Sequence, residues 1–313
     1  MQIRVEVLLL LVFGTLHAGA GQAVKPQELA RLPGAVLLTG YPPFELWMTA
    51  PGEILQLQPT AGNVTSGSMH TFYPSITLDG RIVASARVKA DDPWRVAIAT
   101  YSVPEKKWTE YVEGEYEYGV AISPDGRKLA YMDEMKDTNP NLVRHVHINN
   151  LKTGEQSTGP EIPWCGHWPY TFSVGLSWSP QSNRLAYGGH PIEVWDMDRN
   201  THWEVADGEM PAWSPDGEWI AYRDSEKDER HSTVGIVHPD GSGDRILVTL
   251  PRENAFVERL VWSPDSKTLL LNRLRDEEGW TVDIQFLDLA TLKLKTRFKG
   301  VPPVQAWADG NSN

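Results

Sequence analysis

The side chains best suited to ligand binding lie in one long segment, residues 159–171, which is rich in aromatic rings and proline. Trp164, Trp168 and Tyr170 offer flat faces of the kind that stack on sugar rings or proline-rich peptides, and His167 adds a polar edge. The alternative is that these rings fill space inside the fold or cover an edge, because a long loop must bury something to stay ordered. We treat the four side chains as a candidate ligand-binding set.

Acidic side chains form a second candidate set. Asp224, Asp228 and Glu229 fall in one short polar stretch, and similar stretches occur at 133–137 and 276–278. Carboxylates gathered on one rim would attract a cationic partner. Charges of this kind are also common on solvated loops, and the sequence does not separate the two interpretations.

The sequence lacks the common motifs for catalysis and for cofactor binding. It contains no Gly-x-Ser-x-Gly, Gly-x-x-x-x-Gly-Lys, Gly-x-Gly-x-x-Gly, His-Glu-x-x-His or Cys-x-x-Cys. His145 and His147 alternate along an extended segment and therefore share a face, which is half of a metal site without an identifiable third ligand. We expect no cofactor, and we favour a protein without enzymatic activity while leaving that question open.

The amino-terminal segment and the charge bear on location and partners. Residues 1–23 combine Arg4, an apolar run and small residues at Ala18 and Ala20, which is the pattern of a secretory signal peptide. The chain has 41 acidic and 29 basic residues, and its net charge of −12 argues against a nucleic-acid partner. No run of 18 apolar residues is present, so we expect no membrane span and a secreted or periplasmic location.

A repeated motif organises the rest of the chain. Its most complete copy is Trp213-Ser-Pro-Asp-Gly-Glu-Trp-Ile-Ala-Tyr222, a tight turn between two apolar strands. In such a turn Pro fixes φ and Gly takes a positive φ. The motif recurs around five turn positions: Asp79, Asp125, Gln181, Asp216 and Asp265. Ser182 and Ser266 replace the turn glycine in two copies, so these two turns could differ in shape from the others.

Each repeat is followed by a second pair of short apolar segments, so the unit is four antiparallel strands, here named A to D. Four-stranded units at a mean spacing of about 46 residues predict a β-propeller. The motif resembles the WD40-like repeats of the TolB-type propeller family over residues 73–310. The resemblance implies a ring-shaped scaffold. Relatives that are sugar-acid lyases make His70, His167 and His190 a candidate metal site at the mouth of the ring.

The strand count predicts one domain of six blades over residues 33–313. Val304–Ala308 fits a strand A that lacks strands B to D, whereas three predicted strands at 35–39, 44–49 and 54–58 lack a strand A. We therefore predict that the C-terminal strand joins the three N-terminal strands and closes the ring, which removes an exposed sheet edge. The predicted fold class is all-β, a six-bladed β-propeller of four-stranded antiparallel blades.

The loops then indicate where a ligand would bind. The A–B and C–D turns share one face of a propeller, and the longer, more varied B–C and D–A loops share the other, where we expect the ligand. We predict a module that binds a protein or peptide partner. The alternative is a propeller that binds a glycan, or a polysaccharide lyase that uses the aromatic segment and a divalent metal.

Overall fold

The computed structural model describes residues 26–39, 46–50, 53–58, 74–88, 95–115, 119–132, 144–162, 175–224, 230–252, 255–275 and 282–309. These residues form 24 β-strands and one short 3-10 helix, Pro26–Arg31. The strands make six sheets of four antiparallel strands, which confirms the predicted all-β propeller of six blades. Within the described ranges no helix is long and apolar enough to cross a membrane.

Blades 1 to 5 each use four consecutive strands, running from A at the centre to D at the rim. Blade 1 consists of β4 (Ser75–Ile76), β5 (Ile82–Val88), β6 (Arg95–Ser102) and β7 (Lys107–Glu115). Blade 2 consists of β8 (Val120–Ile122), β9 (Lys128–Met132), β10 (Arg144–Asn150) and β11 (Gln156–Ile162). Blade 3 consists of β12 (Gly175–Trp178), β13 (Arg184–Gly188), β14 (Ile192–Asp196) and β15 (Thr201–Ala206). Blades 4 and 5 consist of β16 (Glu209–Trp213), β17 (Ile220–Asp224), β18 (His231–Val237) and β19 (Arg245–Pro251), then β20 (Ala255–Trp262), β21 (Thr268–Arg275), β22 (Val282–Asp288) and β23 (Lys293–Val301).

Blade 6 closes the ring as the sequence predicts. Its strand order is β24 (Val304–Ala308), β1 (Ala35–Thr39), β2 (Leu46–Ala50) and β3 (Glu53–Gln58). The C-terminal strand pairs antiparallel with β1, and Ala35 lies opposite Ala308. The Nε2 amide of Gln305 also donates to Thr39 Oγ1 at 3.0 Å, so the two chain ends are joined by side chains as well as by the sheet.

The five A–B turns keep one shape, so the expectation that the two serine-containing turns could differ is wrong. Ser182 and Ser266 adopt φ values of 61° and 57°, in the same left-handed region as Gly126 at 71°. The backbone N–H of Ser182 donates to Ser179 O at 2.9 Å, and that of Gly126 donates to Ser123 O at 2.8 Å. The serines therefore accept the conformation that glycine adopts in the other turns, and their hydroxyls become available for further contacts.

Buried tryptophans on the innermost strands connect adjacent blades. Trp178 Nε1 donates to Ala121 O of the preceding blade at 2.9 Å, and Trp262 Nε1 donates to Ala212 O of the preceding blade at 2.8 Å. Both indoles are almost fully buried, so each N–H needs a partner, which the neighbouring strand A supplies. The ring is thus built by contacts between blades as well as within them.

Candidate functional site

The innermost strands of all six blades surround a central channel. A cavity of about 170 Å³ lies in it and is lined by residues from β4, β8, β12, β16, β20 and β24. The small side chains of Ala121, Ala212 and Ala306 are among those that line the cavity, and they leave its centre open. A cavity of this size accommodates one side chain or a chain end, since an engineered cavity of about 150 Å³ holds a benzene molecule.

The mouth of the channel on the A–B face is apolar because of the repeat itself. The residue just before the turn Asp or Gln lines the cavity in four blades: Leu78, Pro124, Pro180 and Pro215. Leu78 is 42% exposed, which is unusual for a leucine in the described part of the chain. The residues that shape the turns therefore also form an apolar rim that a partner can contact.

Two long polar side chains line the cavity, Arg259 on β20 and Gln305 on β24. Gln305 is 2% exposed, and its amide nitrogen is committed to Thr39. Its Oε1 atom accepts no hydrogen bond from the residues that the structure describes. A buried acceptor of this kind can be satisfied by an N–H or O–H group of a ligand.

A buried ionic cluster lies beside the channel, between blades 4 and 5. Arg223 Nε is 3.2 Å from Glu209 Oε1, and both side chains are at least nine-tenths buried. The guanidinium also donates to the backbone carbonyl of Val257 on the next blade. The ladders of both inner strands are irregular here, between Glu209 and Ala212 and between Val257 and Arg259. The irregular pairing lets charged side chains sit at positions where strand A is otherwise apolar.

Glu258 completes this cluster. Burial raises the pKa of its carboxyl to about 7, and the opposing effects of the Arg259 and Arg223 charges are smaller. Its Oε2 atom has no hydrogen-bond partner among the described residues. A carboxyl with this pKa exchanges a proton near neutral pH, so the buried cluster changes charge in that range.

Of the candidate ligand-binding residues and the three histidines of the metal hypothesis, the structure describes Asp224 and His190; it also describes the pair His145 and His147, on β10. Asp224 ends β17 with a buried side chain, so it is not an exposed rim residue. His190 Nδ1 lies 2.9 Å from Asp207 Oδ1. Both Asp224 and Asp207 raise the pKa of Tyr222, after the larger effects of burial and of its hydrogen bond to Asp244. Asp224 and His190 thus lie in one region, where blades 3 and 4 meet.

The other predicted site residues lie outside the described residues. They are Trp164, His167, Trp168 and Tyr170 of the aromatic segment, Asp228 and Glu229 of the acidic stretch, and His70 of the metal hypothesis. Within the described ranges, no group of three His, Cys, Asp or Glu side chains is placed to hold a metal ion. The aromatic, acidic and metal hypotheses therefore stay predictions.

Sequence reasoning missed the residues that form the described site. Arg223 stands seven residues after its turn position, and Asn272 stands seven after Asp265 in the next blade. The corresponding residues in blades 2 and 3 are Met132 and Gly188. A polar side chain at this position of the repeat, as in blades 4 and 5, is the sequence feature that could have indicated the site. Arg223 and Asn272 both reach strand A of the following blade.

The fold and the channel define the class of this protein: a six-bladed β-propeller, whose fold is similar to that of TolB-like and lyase propellers. A TolB-like protein from Agrobacterium tumefaciens has 14% sequence identity and a TM-score of 0.55, with 88% of this chain and 92% of that chain covered. Oligogalacturonate lyase from Vibrio parahaemolyticus has 13% identity and a TM-score of 0.56, with 85% and 74% covered. At these identities the likeness concerns the fold alone.

Similarity in sequence is weak. No protein-family profile matches the chain. Dipeptidyl-peptidase 5 of Porphyromonas gingivalis is 24% identical over 202 residues, which are 58% of this chain and 26% of that protein. The chain thus matches about a quarter of the length of that relative.

Proposed function

We propose that this protein is a binding module that holds a short segment of a protein partner in its central channel. The observation that carries the proposal is one cavity combining an apolar mouth at Leu78 and the turn prolines with a buried, unsatisfied acceptor on Gln305. A side chain or chain end that brings an N–H donor would satisfy that acceptor. The apolar rim would bury the residues next to it.

The loops of the opposite face remain part of this proposal as a second contact area. The sequence predicts that the aromatic segment 159–171 and the acidic residues Asp228 and Glu229 belong to that face, where they would contact a part of the partner that lies outside the channel. The signal-peptide pattern of residues 1–23 supports a secreted or periplasmic location for the complex. The carbohydrate alternative depends on Trp164, His167, Trp168 and Tyr170, and none of the contacts described above supports it.

A pair of matched variants tests the proposal. Leu78→Asp places a charge in the apolar mouth, whereas Ile246→Asp makes the same change on a 51% exposed side chain of β19, at the rim of blade 4. Both variants should keep the melting temperature of the parent protein, because both sites are exposed. A partner recovered with the parent and with Ile246→Asp, and lost with Leu78→Asp, supports the channel.

Other results would contradict the proposal or favour its alternative. A partner retained by Leu78→Asp, or lost equally in both variants, contradicts binding at the channel mouth. Eliminative cleavage of oligogalacturonate by the purified protein, followed as new absorbance of an unsaturated product, would favour the lyase alternative.

A further inference from the structure

One outermost strand carries a row of positive charge. β23 is strand D of blade 5, and its side chains Lys293, Lys295, Arg297 and Lys299 are all exposed. Their positions alternate along the chain, and Lys293 and Lys295, opposite Asp288 and Phe286, project from the same face. The register of the ladder shifts at Arg297 and again before Val301, so Phe298 rather than Lys299 continues that face. At about 3.4 Å per residue the row is roughly 20 Å long. We call these four residues the basic row.

The basic row is unusual in this protein. The chain has a net charge of −12, yet β23 has a formal charge of +4 and contains no acidic residue. Among the other outermost strands, β19 carries +1, and β3, β7, β11 and β15 carry −1 or −2. The positive charge is therefore concentrated on one edge of the ring.

The neighbouring strand neutralises only part of the row. Lys293 lies opposite Asp288, whose Oδ1 accepts hydrogen bonds from the backbone N–H and the hydroxyl of Thr291, both at 2.8 Å. Lys295 lies opposite Phe286, and the Arg297 guanidinium is 5.9 Å from the centre of the same ring. Asp283 lies across from the irregular stretch that contains Lys299, and its Oδ1 accepts a hydrogen bond from the backbone N–H of Gly300 at 3.3 Å. The four cations of β23 therefore face two carboxylates on β22.

Edge lysines have a protective function that must be weighed first. A charged side chain on an exposed strand hinders unwanted pairing with other sheets. The other described outer strands have at most one lysine or arginine each, so protection alone does not account for four cations on one strand. A row of like charges instead favours pairing with a strand of opposite charge.

We propose that β23 binds an extended acidic segment of a partner protein as a fifth strand of blade 5. In the sheet order, β23 has β22 on one side and none of the described strands on the other, so its outer backbone groups can pair with such a segment. Carboxylates at alternate positions of the segment would lie on the same face as Lys293 and Lys295, opposite these two cations. Main-chain hydrogen bonds would provide affinity, and the alternating charges would select the register.

Peptides of fixed composition test this mode of binding on the purified full chain. A fluorescent peptide of four Thr-Glu repeats should bind with an anisotropy change. A peptide with four Thr followed by four Glu should bind about tenfold more weakly, because half of its carboxylates would project from the opposite face, beside Leu294 and Thr296. N-methylation of alternate amides in the Thr-Glu peptide should abolish binding, since it removes the strand hydrogen bonds.

Protein variants locate the site. The double variant Lys295→Gln/Arg297→Gln should weaken binding of the Thr-Glu peptide about tenfold, through the loss of two ion pairs and of long-range attraction. The matched control Lys107→Gln/Lys152→Gln removes two other exposed lysines and should change affinity less than about twofold. Leu78→Asp should bind the peptide like the parent, so this surface and the channel can fail separately.

Three results would overturn the proposal. Equal binding of the repeat, block and N-methylated peptides would show a simple polyanion contact without strand pairing. Equal binding by the Lys295/Arg297 double variant would place the peptide elsewhere. Salt-sensitive self-association of the protein that disappears in that double variant would make a second copy of the chain the occupant.

Discussion

The hydroxyl of Ser182 accepts a hydrogen bond from the backbone N–H of Asp125, at 3.2 Å, and so joins the A–B turns of blades 3 and 2. Ser266 makes the same bond to the backbone N–H of Asp216, at 3.0 Å, between blades 5 and 4. Glycine, which occupies this position in the other turns, has no side chain to make it. The two serines that replace glycine in the repeat therefore form contacts between adjacent blades.

Substitution of Ser182 tests this contact. Ser182→Ala should lower the free energy of unfolding by about 1 kcal/mol, because the hydroxyl is lost while the left-handed backbone is retained. Ser182→Gly loses the same hydroxyl but relieves the backbone, so it should lie between Ser182→Ala and the parent. Urea unfolding of the three proteins measures the differences. An alanine variant as stable as the parent would show that the bond contributes nothing.

Removing one partner of the buried ion pair should be costly. Arg223→Leu removes the guanidinium that pairs with the buried carboxylate of Glu209 and should lower the free energy of unfolding by about 3 kcal/mol. Arg199→Leu removes a 71% exposed guanidinium from Asp196 and should cost less than about 1 kcal/mol. The double variant Arg223→Leu/Glu209→Leu should recover part of the loss. Equal stability of the Arg223 and Arg199 variants in denaturant unfolding would contradict this account.

Asn272 should be essential for closing the ring. Its Nδ2 donates to Val304 O at 2.5 Å, and its Oδ1 accepts from Val304 N at 3.1 Å, so one side chain satisfies both backbone groups of the closing strand. Asn272→Leu leaves both groups buried without a partner and should cost about 3 kcal/mol by chemical denaturation. The exposed Gln156→Leu is the control and should change stability by less than about 0.5 kcal/mol. A small effect at Asn272 would mean that the sheet pairing alone closes the ring.

The stability of the protein should depend on pH through Glu258. Its pKa is raised from 4.5 to about 7 in the folded protein, because burial disfavours the charged form. The folded state therefore holds a proton that the unfolded state releases between these two values. The resulting stability is fully present below about pH 4.5 and is lost as the pH rises through about 7, with a total on the order of 3 kcal/mol.

Glu258→Gln isolates that contribution. The variant has no proton to release at this position, so its free energy of unfolding should fall less than that of the parent between pH 5 and pH 8. Glu155→Gln, on an exposed turn, should retain the slope of the parent. Denaturant unfolding at several pH values gives the slopes, and identical slopes for parent and Glu258→Gln would contradict the assignment.

Much of the fold could be predicted because the repeat encodes it locally. The turn residues and the alternating apolar strands recur with one register, and the incomplete blades at the two ends determine how the ring closes. Val304–Ala308 and Ala35–Thr39 have the predicted limits, and the described strands Leu46–Ala50 and Glu53–Gln58 fall where the sequence predicts the other two strands of blade 6.

The described site could not be predicted in the same way. Arg223, Glu209 and Glu258 meet only because neighbouring blades bring together residues far apart in the chain, and irregular strand pairing changes their direction. The residue before each turn Asp is apolar, so the sequence did contain an indication of the apolar mouth. The role of that residue in shaping the turn explains it equally well, so the mouth could not be inferred from it. Asp224 was predicted from its charge and its neighbours in the sequence, and its burial comes from the packing of blade 4.

The most direct test of the central claim is site-specific photo-cross-linking at the channel mouth. A photoreactive amino acid is placed at position 78 in one protein and at position 246 in another, and cross-linked products are mapped by mass spectrometry after irradiation in the source cells. We predict a cross-link at position 78 to a short segment of one partner protein, with no such product at position 246. The same product from both positions, or cross-links at position 246 alone, would contradict binding of a partner in the channel.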